Sequence, residues 1–163
     1  VPQGGGPGLP RFQVQDFESR PARAQIDPVF SQVQVGVAAS SPKKTLFTAA
    51  ERVEMIREAL QDLDRVTVES FEGLLVDHLR SRQANVVLRG LRAISDFEYE
   101  FQMALTNRKL DSHIDTVFLV PREQFTYLNS TIVREIARLG GNVADFVPPN
   151  VQRHLQNKIQ HLT

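Results

Sequence analysis

Asn85 to Leu110, NVVLRGLRAISDFEYEFQMALTNRKL, is the stretch that decides the fold. Asn85 to Leu88 reads as a buried strand, whose short apolar run, Val86 to Leu88, ends abruptly in Arg89-Gly90-Leu91-Arg92. A helix is expected to open at Ser95, with Glu98 three residues on in the spacing of a capping box, and to run to about Leu110. This places two arginines on the loop at the end of a strand, beside a glycine that lets a ligand approach the backbone. In open α/β sheets that end of the strand is where ligands bind, and a guanidinium there suits phosphate. The plainer reading is that both arginines solvate the loop or pair with Asp96 and Glu98.

Outward from this stretch the same alternation repeats. Val33 to Ala39 (VQVGVAA) reads as a buried strand. Thr48 caps a helix with Glu51 three residues on, and Val53, Ile56 and Leu60 form its apolar stripe. Val66 to Val68 is a short strand, and Gly73 to Arg82 a helix carrying Leu74, Leu75 and Leu79. Asp115 to Val120 (DTVFLV) is a strand stopped by Pro121. Ser130 to Leu139 is a helix closed by Gly140-Gly141, and a last helix follows Pro148-Pro149, from about Asn150 to His161. Short apolar strands alternating with helices imply an α/β fold, a doubly wound parallel sheet covered on both faces.

The first thirty residues break the pattern. VPQGGGPGLP is rich in glycine and proline and reads as loop or disorder. Phe12 to Val14 admits a short strand, but no segment is a clear candidate for the central first strand that a doubly wound domain needs. Residues 1–30 are therefore set apart as atypical, disordered or frame-shifted, and 31–163 form the α/β domain.

Bulk properties narrow the function. The chain has 163 residues, enough for one compact domain with a real core. Its formal net charge is +0, so nothing suggests broad binding to nucleic acid or to an anionic membrane, and phosphate recognition must be local. Without cysteine there is no disulfide, thiolate metal site or cysteine nucleophile. No apolar run reaches transmembrane length and the start does not resemble a signal peptide, so a cytoplasmic protein is expected. His78, His113, His154 and His161 lack metal-ligand spacing, and no metal site is expected among them.

Three further places are able to carry chemistry. Ser40-Ser41-Pro42-Lys43-Lys44 follows a strand directly, so its lysines should share a rim with Arg89 and Arg92; alone, such a pair is a solvated turn. Asn129, Ser130 and Thr131 open a helix, where free N–H groups attract anions, or where Asn or Ser simply caps. Glu100 and Asn107 lie seven apart on one helix face and suit an adenine, ribose or amide ligand, or solvent.

AASSPKKTLFTAAERV, the two leucines of FEGLLVD, RGLRAISDFEYEFQMALTNRKL, YLNSTIVREIARLGG and DFVPPNV together closely resemble the bacterial phosphopantetheine (pantetheine-phosphate) adenylyltransferases, over Val33 to Thr163. The resemblance implies a Rossmann-like nucleotidyltransferase domain that moves an adenylyl group from ATP to 4′-phosphopantetheine, giving dephospho-coenzyme A and pyrophosphate. It implies Mg2+ with ATP, a homohexamer, and binding of coenzyme A as well. By matching position, Lys43 and Arg89 hold the acceptor phosphate, and Leu75 and Asn107 line the pantetheine arm. Lys43 and Arg92 are the catalytic residues. Gly90, Leu91, Arg92 and Glu100 contact ATP, as does the loop Phe125, Thr126, Tyr127, Leu128, Asn129, Ser130 and Thr131. Where relatives often read S-S-[ST], this chain has Asn129-Ser130-Thr131.

The front of the chain departs from the resemblance. The family opens with a strand and P-G-[ST]-F-D-P-x-T-x-G-H, whose hydroxyl and final histidine hold the reacting phosphates. Here no histidine precedes His78. Either the reading frame is shifted upstream of about Phe30, or the copy is degenerate; an out-of-frame T-x-G-H in the coding DNA would settle for the first. Losing one preorganised donor costs on the order of 10²–10³ in rate, so impaired or absent turnover is expected of this text. The alternatives are a non-catalytic nucleotide- or coenzyme A-binding module and, behind it, a nucleotidyltransferase acting on nicotinate mononucleotide or glycerol phosphate.

Overall fold

A computed structural model describes residues 11–14, 32–40, 45–91, 94–120 and 128–161. Five strands and five helices are described: β1 Arg11–Val14, β2 Gln32–Ala38, α1 Ala49–Ala59, β3 Val66–Phe71, α2 Leu75–Ser81, β4 Val86–Gly90, α3 Ile94–Leu110, β5 Asp115–Leu119, α4 Ser130–Arg138 and α5 Pro149–Gln160. The strands form one sheet in the order β3-β2-β1-β4-β5, every pair parallel. The chain winds outward through β2 to β3, then crosses to β4 and β5. The reversal falls between β1 and β4, the switch point at which open α/β sheets form their ligand crevice. The doubly wound expectation is met.

The central strand is β1, four residues within the stretch that offered no clear candidate. Arg11↔Gln32 to Val14↔Val35 pair it with β2, and Phe12↔Val86 to Val14↔Leu88 pair it with β4. The short strand that Phe12 to Val14 admitted thus takes the middle of the sheet.

Both faces are covered because successive residues of a strand point to opposite sides. Val33, Val35 and Val37 of β2, Val68 of β3 and Leu88 of β4 meet Val53, with Ile56 and Leu60 packed against them. Val87, next to Leu88, faces the other way, into Val76 and Leu79 of α2, Ala84 and Ile114. Leu79 is fully buried, whereas Leu74, expected on the apolar face of α2, precedes that helix and is exposed. A third cluster, Val133, Val143 and Leu155, joins α4 and α5 to Leu46 and Phe47 ahead of α1.

Caps follow the sequence signals. Thr48 and Glu51 close the expected box on α1: Glu51 N–H donates to Thr48 Oγ1 at 3.2 Å, and Thr48 N–H to Glu51 Oε2 at 2.7 Å. The chain leaves α4 through Gly140, at φ +77°, with Gly141 N–H on Ile136 O at 2.9 Å and Gly140 N–H on Ala137 O at 3.1 Å. That pair of bonds is a Schellman motif. α3 begins at Ile94, so Ser95 lies inside the helix and is not the residue in front of it.

Candidate active site

The ladder between β4 and β5 continues through Arg89↔Phe118 and Gly90↔Leu119, and Leu91 N–H still donates to Leu119 O at 2.9 Å. Arg89 and Gly90 are therefore the last residues of a strand, not of a loop as the sequence suggested. A Cβ built on Gly90 would meet nothing within 4 Å, so the space beside it is open. The Leu91 N–H is used by the sheet.

Because Arg89 is in the strand, its side chain alternates with Leu88 and shares the face of Val87. There Arg89 Nε donates to Glu100 Oε2 at 2.6 Å and Arg89 Nη2 to Glu100 Oε1 at 2.5 Å, with both side chains only 12% exposed. This is the two-pronged guanidinium–carboxylate fit. The plainer reading had Arg89 paired with Asp96 or Glu98; the described partner is one turn further along α3. Glu100 compensates the charge of Arg89, so a phosphate bound here depends on further cations at the rim.

Arg89 and Glu100 line a pocket with Leu75, Val87, Tyr99, Met103, Ala104, Asn107 and Thr116, about 100 Å³ in volume. Four residues singled out in the sequence, Leu75, Arg89, Glu100 and Asn107, are brought together here from three separate elements. Asn107 is 6% exposed. Its side-chain amide offers a donor and an acceptor at the pocket wall.

The remaining lining residues were missed, although the signal for them exists. Tyr99 and Met103 precede Asn107 by two turns and one on α3, and Thr116 of β5 lies directly opposite Val87 in the sheet register.

At the start of α4, Asn129 Oδ1 accepts from Thr131 N–H and from Ile132 N–H, each at 3.0 Å. The helix N-terminus is thus occupied by its own cap, and these two N–H groups are not free for an anion in this state. Arg134 folds back on the same turn, donating to Ser130 O at 3.0 Å and to Thr131 Oγ1 at 3.3 Å. Leu128 is half-buried just ahead of the cap. Lys43, Arg92, Phe125, Thr126 and Tyr127 lie outside the described residues.

The histidines take no part in this site. His78 is buried against Phe71, their rings stacked at 4.5 Å, and burial pushes its pKa down. Its Nε2 lies 3.2 Å from Glu69 Oε1 without hydrogen-bond alignment. His113 is on the surface.

Comparison with known proteins agrees with this geometry. The cytidylyltransferase-like family model matches residues 20–136. The phosphopantetheine adenylyltransferase of Azoarcus sp. (strain BH72) is 54% identical over 131 residues, covering 80% of each chain. A parallel doubly wound sheet, a guanidinium beside its switch point, and an identity of that extent over most of both chains lead to one assignment. The chain belongs to the phosphopantetheine adenylyltransferases, nucleotidyltransferases of cytidylyltransferase-like fold.

Proposed function

We propose that the chain transfers the adenylyl group of ATP to 4′-phosphopantetheine, giving dephospho-coenzyme A and pyrophosphate. The observation that carries this reading is the pocket that unites Leu75, Arg89, Glu100 and Asn107 beside the switch point. An acceptor phosphate oxygen attacks the α-phosphorus of ATP; a new P–O bond forms and the bond to the β-phosphate oxygen breaks. Such a transfer asks the protein mainly for positioning and charge. Arg89 binds the acceptor phosphate together with Lys43. Asn107 gives its amide to the pantetheine arm, and Leu75 packs against that arm. Gly90, Leu91, Arg92, Glu100 and the Phe125 to Thr131 loop contact ATP, and Lys43 and Arg92 stabilise the charge that develops around the α-phosphate as the adenylyl group transfers.

Mg2+, bound with ATP, would neutralise part of the charge on its phosphates. Among the described residues no group of three acidic or histidine side chains clusters to hold a metal. A cytoplasmic homohexamer is proposed for the assembly. Its support is the apolar surface that α3 and β5 leave open, with Phe97, Phe101, Leu105, Leu110, Val117 and Val120 all exposed. Among the described residues no helix is long and apolar enough to cross a membrane.

A second reading is favoured by one specific observation. These 163 residues contain no T-x-G-H and no histidine before His78. A chain without that motif binds nucleotide or coenzyme A while turning over slowly or not at all. Pyrophosphate release with MgATP, with and without 4′-phosphopantetheine, tests both. Acceptor-dependent release supports the enzyme. Silence with coenzyme A still bound, seen by calorimetry, supports the binding module. Binding of nicotinate mononucleotide in place of the pantetheine ligands would overturn both.

A further inference from the structure

α3 is a pocket wall with little of its own surface buried. From Phe97 to Leu110 only Glu100, Ala104 and Asn107 escape full exposure, a single narrow face at spacings of four and three. Among the described residues none of the three apolar clusters takes a member from this helix. Its C-terminus also carries an electrostatic conflict. The last carbonyls of a helix lack partners within it and bear partial negative charge, and Asp111 adds a carboxylate just past Leu110. Arg108 of the last turn donates to Asp115 of β5 instead.

Arg80 of α2 answers both groups. Its Nε donates to Asp111 Oδ2 at 2.7 Å and its Nη2 to Leu110 O at 3.1 Å, while Nη1 is braced on Asp77 Oδ1 of its own helix at 3.2 Å. All three guanidinium nitrogens are thus used, two of them on the end of α3. An arginine serving only solubility would extend its head into water. The grip reaches the pocket in one further bond, since Asp111 N–H donates to Asn107 O at 2.9 Å and closes the last turn. Leu75, which lines the same pocket, opens the helix that carries Arg80.

We infer that Arg80 is a positioning residue for the acceptor: by capping the last turn of α3 from α2, it holds Asn107 against Leu75 across the pocket. The inference rests on the reading of that pocket as the seat of the pantetheine arm. Arg82, two residues along, is the internal control. Its side chain is 49% exposed against 52% for Arg80, and its Nε donates to Glu69 Oε1 at 2.7 Å, with Nη2 on Glu69 Oε2. That partner belongs to β3, the opposite edge of the sheet from β5.

The test compares Arg80→Met, Arg80→Lys and Arg82→Met in the full chain. The readouts are 4′-phosphopantetheine and MgATP affinity by calorimetry, hydrogen exchange at the Asp111 amide, and the urea midpoint. Arg80→Met should weaken acceptor binding roughly three- to tenfold and speed Asp111 exchange by a similar factor, as loss of a half-exposed charged contact allows. MgATP affinity should stay within about twofold. Arg80→Lys, which keeps the charge, should recover part of both losses. Arg82→Met should leave acceptor binding and Asp111 exchange within about twofold, and both methionine variants should shift the midpoint little. Acceptor binding unchanged in Arg80→Met, equal losses of acceptor and MgATP, or equal effects of Arg80→Met and Arg82→Met would each overturn the inference. If Arg80→Met does not fold, Arg80→Lys against Arg82→Lys decides by the same readouts. A wild-type chain that binds no acceptor refutes the proposed function, and exchange at Asp111 then still decides whether Arg80 holds the end of α3.

Discussion

Removing either partner of the Arg89–Glu100 pair should destabilise the fold far more than removing both. The two bonds, at 2.6 and 2.5 Å, join side chains that are each 12% exposed. Arg89→Met strands a carboxylate in that environment, and Glu100→Leu takes the two-pronged carboxylate away from a buried guanidinium. Breaking a buried pair from one side costs about 3–5 kcal/mol, while replacing both members with apolar residues of similar volume is often neutral or stabilising. For a chain of this size about 1 kcal/mol moves Tm by roughly 2–4 °C, so each single variant should melt roughly 6–20 °C lower. Arg89→Met with Glu100→Leu should return to within a few degrees of wild type. Urea unfolding monitored by circular dichroism gives the full cycle, and a coupling energy of about 3 kcal/mol or more is expected. Two singles costing about 1 kcal/mol or less each, adding without coupling, would refute the argument, because that is how a solvent-screened surface pair behaves. The double variant also separates stability from function: folded but without Arg89, it should bind 4′-phosphopantetheine much more weakly than wild type.

Other consequences are simpler to check. The Lys158 ammonium beside Glu51, aided by the Thr48 N–H, pulls the Glu51 carboxyl down to about 2. Its contribution is therefore complete above the ordinary carboxylate value near 4.5 and is lost as pH falls toward 2. Both side chains are about one-third exposed, so screening limits the contribution to about 0.5–1 kcal/mol. Glu51→Gln should flatten the Tm-against-pH curve below pH 4.5 by about that amount and leave the curve above neutrality nearly parallel to wild type. Asn150, buried at the start of α5, donates from Nδ2 to Met55 O at 2.8 Å; Asn150→Ala should cost about 1–2 kcal/mol by urea titration. Gln13→Pro places a residue without an N–H in the central strand, between β2 and β4. It should abolish or sharply lower the cooperative melting transition, and an unchanged melt would mean that β1 does not hold the sheet together.

Most of the fold was legible because local signals and burial agree. Val33, Val35 and Val37 alternate on one strand and are all buried, and Thr48 with Glu51 announces a helix start that the structure closes in both directions. Where the boundaries moved, the cause was a partner the sequence does not display. β4 runs through Arg89 and Gly90 because Phe118 and Leu119 lie alongside them. β3 extends to Phe71, well past Val68, because Ala38 pairs with it. In each case a strand lasts as long as its neighbour does, and neighbours in a crossover sheet are distant in sequence.

The site divides along the same line. Glu100 and Asn107 were placed on one face by helix geometry alone, and the pocket confirms that they share it. That Arg89 would be answered by Glu100 was not legible, since Asp96 and Glu98 are nearer in sequence and equally charged. Only the strand's inward turn at Arg89 selects between them. The Asn129 segment carries both an anion-binding and a capping reading, and the structure gives Oδ1 of Asn129 to the very N–H groups that an anion would need. Asparagine at that position is both a good cap and a good ligand-binding residue, so composition cannot separate the two. β1 is the extreme case. Nothing in Arg-Phe-Gln-Val is strong enough to name a central strand. The chain nevertheless needs one there, since β2 and β4 each present an inner edge of backbone groups that must be satisfied. Those edges, more than the propensities of residues 11–14, account for the strand that lies between them.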